Sequence, residues 1–213
     1  MAAYDLEEQE QIAEFKAWWA QYGNLIVTVL LALSLGFVGW QGWNKYRSVG
    51  AANASALYFD LQRAAAAEDA VQVRKIAGEL ISKHSNTVQA QMGALLSAGM
   101  QFQKNDLDNA RPHLEWAADK GKDVILRDLA RLRLAAVLLQ QGAADQALTR
   151  LQPVPEGPLR ARFEDLRGDV LAAQGKTNEA RDAWVAAVKA LGNLSSDLDM
   201  RDAIRVKLES LKG

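Results

Sequence analysis

The sequence predicts an all-α protein, in which one N-terminal membrane-spanning helix precedes a solenoid of paired helices. Three observations carry this prediction. No residue between Lys16 and Lys45 is charged. Past Tyr46, alanine and leucine recur at helical spacing, and no alternating run is long enough for a strand. The segment around Gly142 recurs around Gly175 with a constant shift of 33 residues.

The span comes first in the chain. Leu25-Ile-Val-Thr-Val-Leu-Leu-Ala-Leu-Ser-Leu-Gly-Phe-Val-Gly-Trp40 is almost wholly apolar. Trp18 and Trp19 lie on one side, Trp40 and Trp43 on the other. From Trp19 to Trp40 a helix rises about 31 Å at 1.5 Å per residue, which matches a hydrocarbon core of roughly 30 Å with indoles at both interfaces. A buried core helix does not need tryptophan pairs at its two ends. A cleaved signal peptide is disfavoured because the leader is acidic, the apolar run is too long, and Lys45 and Arg47 precede the small-residue segment Ala52-Asn-Ala54. The expected division is a short acidic segment over residues 1–21, a membrane helix over 22–44 and a helical-repeat domain over 45–213. Within the span Thr28, Ala32 and Gly36 form a small-residue stripe on which another helix could pack. No ionisable group lies inside it, so proton or ion transport by this helix alone is not expected. By charge count, Lys16 stands against Lys45 and Arg47, which leans toward a cytoplasmic carboxyl domain by one residue.

Composition narrows the remaining chain. Of 213 residues 49% are hydrophobic, enough to bury a core. Residues 1–44 carry five acids and one lysine, so the rest is only about +3, too little to suggest nucleic acid. The absence of cysteine excludes disulfides, zinc knuckles and thiol catalysis.

Breakers divide the chain past Tyr46 into helices: Ser85-Asn86, Asn105-Asp106, Lys120-Gly121-Lys122, Gln141-Gly142, Pro153-Val-Pro-Glu-Gly-Pro158 and Gly175-Lys176. Pro112 fits poorly inside a helix from Leu107, so that helix is expected to start late or bend. The repeat aligns Gly142, Ala147 and Leu151 with Gly175, Ala180 and Trp184, and Ala135 and Leu138 with Gly168 and Leu171. A third copy, Asn105, Ala110 and Leu114, lies 37 residues upstream of the second. A small residue in the first helix, a turn glycine, an alanine in the second helix and a large residue four later resemble the tetratricopeptide repeat. Residues 51–84 look like two further helices but do not align with the repeat, and the register around Glu164 is open by one residue. A last helix, about Leu198 to Leu211, would cap the stack.

Gly175-Lys-Thr177 ends the commonest phosphate-binding loop, yet the glycine required five residues earlier is Val170, and the lead-in is helical. The tripeptide is therefore expected to be the turn between two helices, with Thr177 or Asn178 as N-cap.

The acidic leader, the tryptophan-bordered span, Leu132-Arg-Leu-Ala135, Asp165-Leu-Arg-Gly-Asp169 and Ala180-Arg-Asp-Ala-Trp184 together resemble the YfgM family, ancillary subunits of the SecYEG translocon. That resemblance implies a bacterial inner-membrane protein of a Gram-negative cell, with its amino end in the cytoplasm and a tetratricopeptide-like domain in the periplasm. It further implies a non-enzymatic scaffold or chaperone-type role at the translocon exit. The implied partners are SecYEG, a PpiD-type membrane-anchored chaperone, and emerging secreted or outer-membrane proteins.

Chemistry is sparse. His84 and His113 fall on different helices, so a zinc site is not expected. Asp128, Arg131, Glu164, Arg167 and Asp169 read as solvated faces or structural ion pairs rather than a paired-carboxylate active site. No cofactor is expected. Stacked helix pairs leave a concave surface, and the repeat register points Met92, Leu95, Phe102, Leu129, Leu132 and Leu139 toward it. A register shifted by one residue returns them to the core. A repeat adaptor for another envelope assembly or signalling complex, working on the cytoplasmic face, is the alternative reading. Lys176→Ala is expected to leave the melting temperature unchanged and to alter no nucleotide affinity, since a turn lysine is solvated; calorimetry with ATP checks both.

Overall fold

The solenoid is built on one turn, used four times. The computed structural model describes the backbone of residues 2–192 and 198–211, with side chains in those ranges from residue 11 onward except 42 and 46–48. Among the described residues the chain forms helices only: α1 (Ala2–Ala66), α2 (Ala70–His84), α3 (Val88–Gln103), α4 (Leu107–Lys120), α5 (Val124–Gln140), α6 (Ala144–Arg150), α7 (Arg160–Ala173), α8 (Thr177–Leu191) and α9 (Leu198–Ser210). They fall into two units, residues 1–50 and 51–213.

Among its described residues the first unit is helical throughout, and its apolar side chains surround the axis. Leu25, Leu30, Leu31, Leu33, Leu35 and Phe37 are all exposed. A helix apolar on every side suits lipid rather than one protein face, and this is a possible membrane span. Phe15, Trp18, Trp19 and Tyr22 form a chain of neighbouring rings with centroids 5.9–6.4 Å apart. The Trp19 indole lies over Gly23, where a Cβ would meet it at 3.0 Å. At the other end Trp40 packs near Phe37, with ring centroids 6.1 Å apart, and Trp43 is exposed. Along the stripe, Thr28 donates its hydroxyl to the Asn24 carbonyl at 2.7 Å, and a Cβ on Gly36 would meet nothing within 4 Å.

In the second unit the helices pair as the end of α1 with α2, α3 with α4, α5 with α6, and α7 with α8. Each pair closes through a residue of positive φ: Glu68 (56°), Asn105 (57°), Gly142 (77°) and Gly175 (75°). The amide of the following residue donates back five positions in every case, Asp69 to Ala64, Asp106 to Gln101, Ala143 to Leu138 and Lys176 to Leu171, at 2.8–3.0 Å. The left-handed residue and this bond satisfy carbonyls left without a donor at the helix end. The first copy, hidden in sequence, is thus the turn at Glu68. Gly175-Lys-Thr177 is the fourth such turn, but its N-cap is Lys176 without a side-chain cap bond, and Thr177 is already helical. Four caps do use side chains: Asp69, Thr87, Asp106 and Asp123 each accept an amide of the first helical turn. The helix containing Pro112 begins at Leu107, not late, and carries the proline in its second turn.

Packing follows the aligned positions. Ala110, Ala147 and Ala180 are fully buried, with Leu114, Leu151 and Trp184 beside them. Opposite Trp184 stands Gly168, where a Cβ would lie 2.4 Å from the indole. In the first pair the volumes are exchanged: Leu61 takes the place of Gly168 and Ala77 that of Trp184, both fully buried. The open register around Glu164 resolves with Phe163 in the core and Glu164 paired to Arg167 at 3.1 Å. Polar clamps join successive pairs. Buried Gln91 of α3 donates to the Ala117 and Asp123 carbonyls and accepts the Asp123 amide at 3.0 Å. Gln101 donates to the Ala70 carbonyl. Arg131 lies over the Phe163 ring, pairs with Asp128, and donates to the Arg150 and Pro153 carbonyls.

The capping helix α9 is held by a charge cluster as well as by Ile204, which is fully buried. Lys207 Nζ lies 2.7 Å from carboxylate oxygens of both Asp165 and Asp169 and 5.9 Å from the centre of the Trp184 ring. The indole N–H donates to Asp169 at 3.1 Å. Burial lifts the Asp165 carboxyl above its ordinary value, more than the hydrogen bond and charge of Lys207 lower it. Burial also works against the Lys207 ammonium, but the two carboxylates outweigh it and raise its pKa. The lysine's contribution is therefore present at neutral pH and lost only as pH rises through its elevated value. Lys207→Met leaves two half-buried carboxylates facing each other and is expected to cost about 1–3 kcal/mol at pH 8. A carboxyl with a raised folded pKa binds protons more tightly in the native state, so the loss should shrink as pH falls toward 4. Urea melts of the full chain in detergent at the two pH values check this; an equal loss at both would assign the effect to packing.

Candidate functional site

Along α3, Met92, Leu96, Gly99 and Gln103 recur at spacings of three and four and share one helix face. Two adjoining cavities open beside this face, between the first helices of successive pairs. One, of about 600 Å³, is lined by Ala65 and Glu68 at the end of α1, by Leu95, Leu96, Gly99, Met100, Gln103 and Lys104 of α3 and its turn, and by Arg133 of α5. The other, of about 270 Å³, is lined by Ala98, Gly99, Phe102 and Gln103, by Leu114 of α4, and by Arg133, Ala136 and Val137. Gly99, Gln103 and Arg133 belong to both, so the two form one groove across α1, α3 and α5. Glycine keeps its floor open, since a Cβ on Gly99 would have only Arg133 Nη1 within reach, at 4.0 Å.

The walls of the smaller cavity are apolar side chains, and its one charged lining residue is Arg133. That arginine is exposed as a whole, but its Nη1 donates to the Leu95 carbonyl at 3.2 Å. Desolvation of the guanidinium pushes its pKa below the ordinary arginine value. At the other cavity Lys104 Nζ donates to the Glu68 carbonyl at 3.1 Å. Such a surface can hold a protein segment by apolar burial and a few polar contacts.

Comparison with known proteins places this architecture. The profile of the tetratricopeptide repeat-like domain matches residues 16–213. A Neisseria gonorrhoeae protein named ancillary SecYEG translocon subunit is 30% identical over 213 residues, all of both chains. An Escherichia coli protein of the same name is 32% identical over 85% of this chain and 87% of its own. The chain belongs to the ancillary SecYEG translocon subunit family. A Haemophilus influenzae protein of that name is 28% identical over 92% of this chain and 96% of its own. Repeat fold and possible membrane span thus occur here in a family whose members carry the translocon in their name.

The residues expected on the concave surface of this family member separate into four groups. Phe102 lines the groove and is 40% exposed. Met92 is exposed on the same helix face as Gly99, beyond the lining of the two cavities. Leu95 is a correction: although its edge reaches the larger cavity, it is 4% exposed and belongs to the main core. Leu129, Leu132 and Leu139 are partly buried and pack against that core, outside the cavity linings. Leu95 falls inward because a close stack of helices takes up most apolar positions internally. Leu96, Gly99, Met100, Arg133 and Ala136 escaped the sequence reading. Arg133 had a visible signal, since Leu129, Ala130, Ala136 and Val137 at i±3 and i±4 offer it no acid.

His84 ends α2 and His113 lies within α4. Burial and the nearby Arg74 push the His113 imidazole below its ordinary pKa, which favours its neutral form. Among the described residues no group of three His, Cys, Asp or Glu could hold a metal ion.

Leu95→Asp is expected to destabilise the protein by more than about 3 kcal/mol, through an unpaired buried carboxylate and a lost apolar side chain. Phe102→Asp should change stability by less than about 1 kcal/mol, because its position is already open to water. Thermal unfolding of the two variants side by side checks the assignment of core and groove.

Proposed function

We propose that this chain is a non-enzymatic, single-pass inner-membrane subunit that holds protein segments at the exit of the Sec translocon. The groove across α1, α3 and α5 carries the reading, because it is an open and partly apolar surface in a chain that matches translocon subunits over its whole length. Covering apolar surface stabilises a complex by about 25 cal/mol per Å² before the costs of association. Met100 at the rim can adapt to differently shaped side chains. In this reading residues 1–21 are cytoplasmic, 22–44 span the bilayer between the tryptophan pairs, and 45–213 form the periplasmic domain. The stripe Thr28, Ala32 and Gly36 is the face on which a translocon helix would pack. A PpiD-type anchored chaperone and emerging secreted or outer-membrane chains are the expected occupants of the groove.

A second reading, an adaptor on the cytoplasmic face, is favoured by the charge count at Lys16, Lys45 and Arg47. The one-residue margin is small, and large domains translocate largely regardless of loop charge. Alkaline phosphatase fused after Gly213 is expected to be active, as in the periplasm. A photo-crosslinker at Phe102 in living cells should give adducts with translocon subunits, the anchored chaperone and secreted precursors. The same crosslinker at Val185, an exposed position on α8, should give few. An inactive fusion, or equal adducts from both positions, would overturn the proposal.

A further inference from the structure

We infer that the groove selects segments in which a carboxylate side chain stands one or two residues from a bulky apolar one, with Arg133 as the carboxylate receptor, on the reading that this groove is a protein-binding site. Pairing and position together mark Arg133: Arg74, Arg127, Arg162, Arg181 and Arg201 also stand outside the ion pairs of the described residues, but of these arginines it is the one that lines both cavities. Arg63, Arg111, Arg131, Arg150, Arg160, Arg167 and Arg205 each have a carboxylate partner, and in six of these seven pairs the partner lies three or four residues away. Arg133 is in no ion pair among the described residues. Its one hydrogen bond, to the Leu95 carbonyl, uses one of five N–H donors.

Position makes this unpaired cation informative. It lines both cavities, so a carboxylate bound to its remaining donors would lie beside the apolar cleft formed by Ala98, Phe102, Leu114 and Val137. A guanidinium already partly desolvated against α3 loses less hydration when a partner covers it, and a carboxylate can meet its planar fork with two bonds. Lys104 adds a second positive charge at the larger cavity, with Glu68 as the one acid in the lining. Gln103 offers an amide to the backbone of an extended segment. An apolar segment without an acid would fill the cleft and leave the arginine as it is, whereas a lysine there would meet like charge. The groove thus favours acidic-apolar over neutral or basic-apolar partners.

Dansyl-labelled peptides capped at both ends, with three Leu-Asp pairs in a Gly-Ser background, provide the probe, and Leu-Asn and Leu-Lys versions the controls. Caps remove the terminal carboxylate, so only side-chain acids can bind. Anisotropy is measured on the full chain in nanodiscs of neutral lipid. Wild type is expected to bind the Leu-Asp peptide about tenfold tighter than the Leu-Asn peptide, as for one charge-assisted contact. Arg133→Gln should remove that difference while keeping the Leu-Asn affinity, and Arg133→Glu should prefer the Leu-Lys peptide. Gly99→Leu, which replaces a helical glycine and projects into the groove, should weaken all three. If Arg133→Gln retains the preference, or wild type shows none while Gly99→Leu still blocks binding, the carboxylate inference is overturned and the groove stands. Should no peptide bind, or Gly99→Leu change nothing, the protein-binding reading of the groove itself fails.

Discussion

Two helices in a pair must approach closely enough to exclude water between them, and the chain must reverse between them without leaving carbonyls unsatisfied. Both demands meet at the left-handed turn. Glu68, Asn105, Gly142 and Gly175 take positive φ, and the amide following each returns to the first helix. Five residues beyond the last three of these turns, a fully buried alanine lets the second helix sit close, and a large side chain four residues further fills the space beside it. The stack, and therefore the face presented by α1, α3 and α5, depends on this contact being made again in every pair.

The pairs are then tied to one another by groups that are polar yet buried. Gln91 satisfies both ends of its amide on the chain entering α5, and Gln101 reaches back to the start of α2. Burying an amide without partners would be costly, so these bonds specify one arrangement of neighbours as well as stabilising it. Arg131 acts in the same way between α5 and the loop that leads to α7. Two residues on, Arg133 points to the groove with a single bond to the backbone. Of these two arginines on one helix, Arg131 is held by a carboxylate, a ring and two carbonyls, and Arg133 by one carbonyl.

Groove and cap lie in different parts of the stack. The groove uses the first three pairs, while Asp165, Asp169, Trp184 and Lys207 close the last pair against α9. Stability in repeat proteins is largely a sum over neighbours, so the terminal cluster can hold the end of the solenoid without contributing a side chain to the groove. The open floor at Gly99 shows how small residues serve two ends: at Gly168 the missing Cβ admits an indole from within the fold, and at Gly99 it leaves space facing outward.

Much of the fold could be read along the chain because its signals are local. Apolar length with tryptophans at each end marks a membrane helix, helical spacing marks the solenoid, and the shift of 33 residues locates the pair turns at Gly142 and Gly175. The turn at Glu68 was not legible, since a non-glycine residue takes the left-handed position and the large and small members of its pair, Leu61 and Ala77, are exchanged. Phe102 and Met92 are exposed on α3. Only the tertiary structure assigned Leu95 to the core and brought Arg133 to an open cleft, because burial depends on which neighbouring helix faces each stripe. Local periodicity specifies a helix and its apolar side; whether a residue on that side meets a neighbour or water is decided by packing between segments distant in sequence.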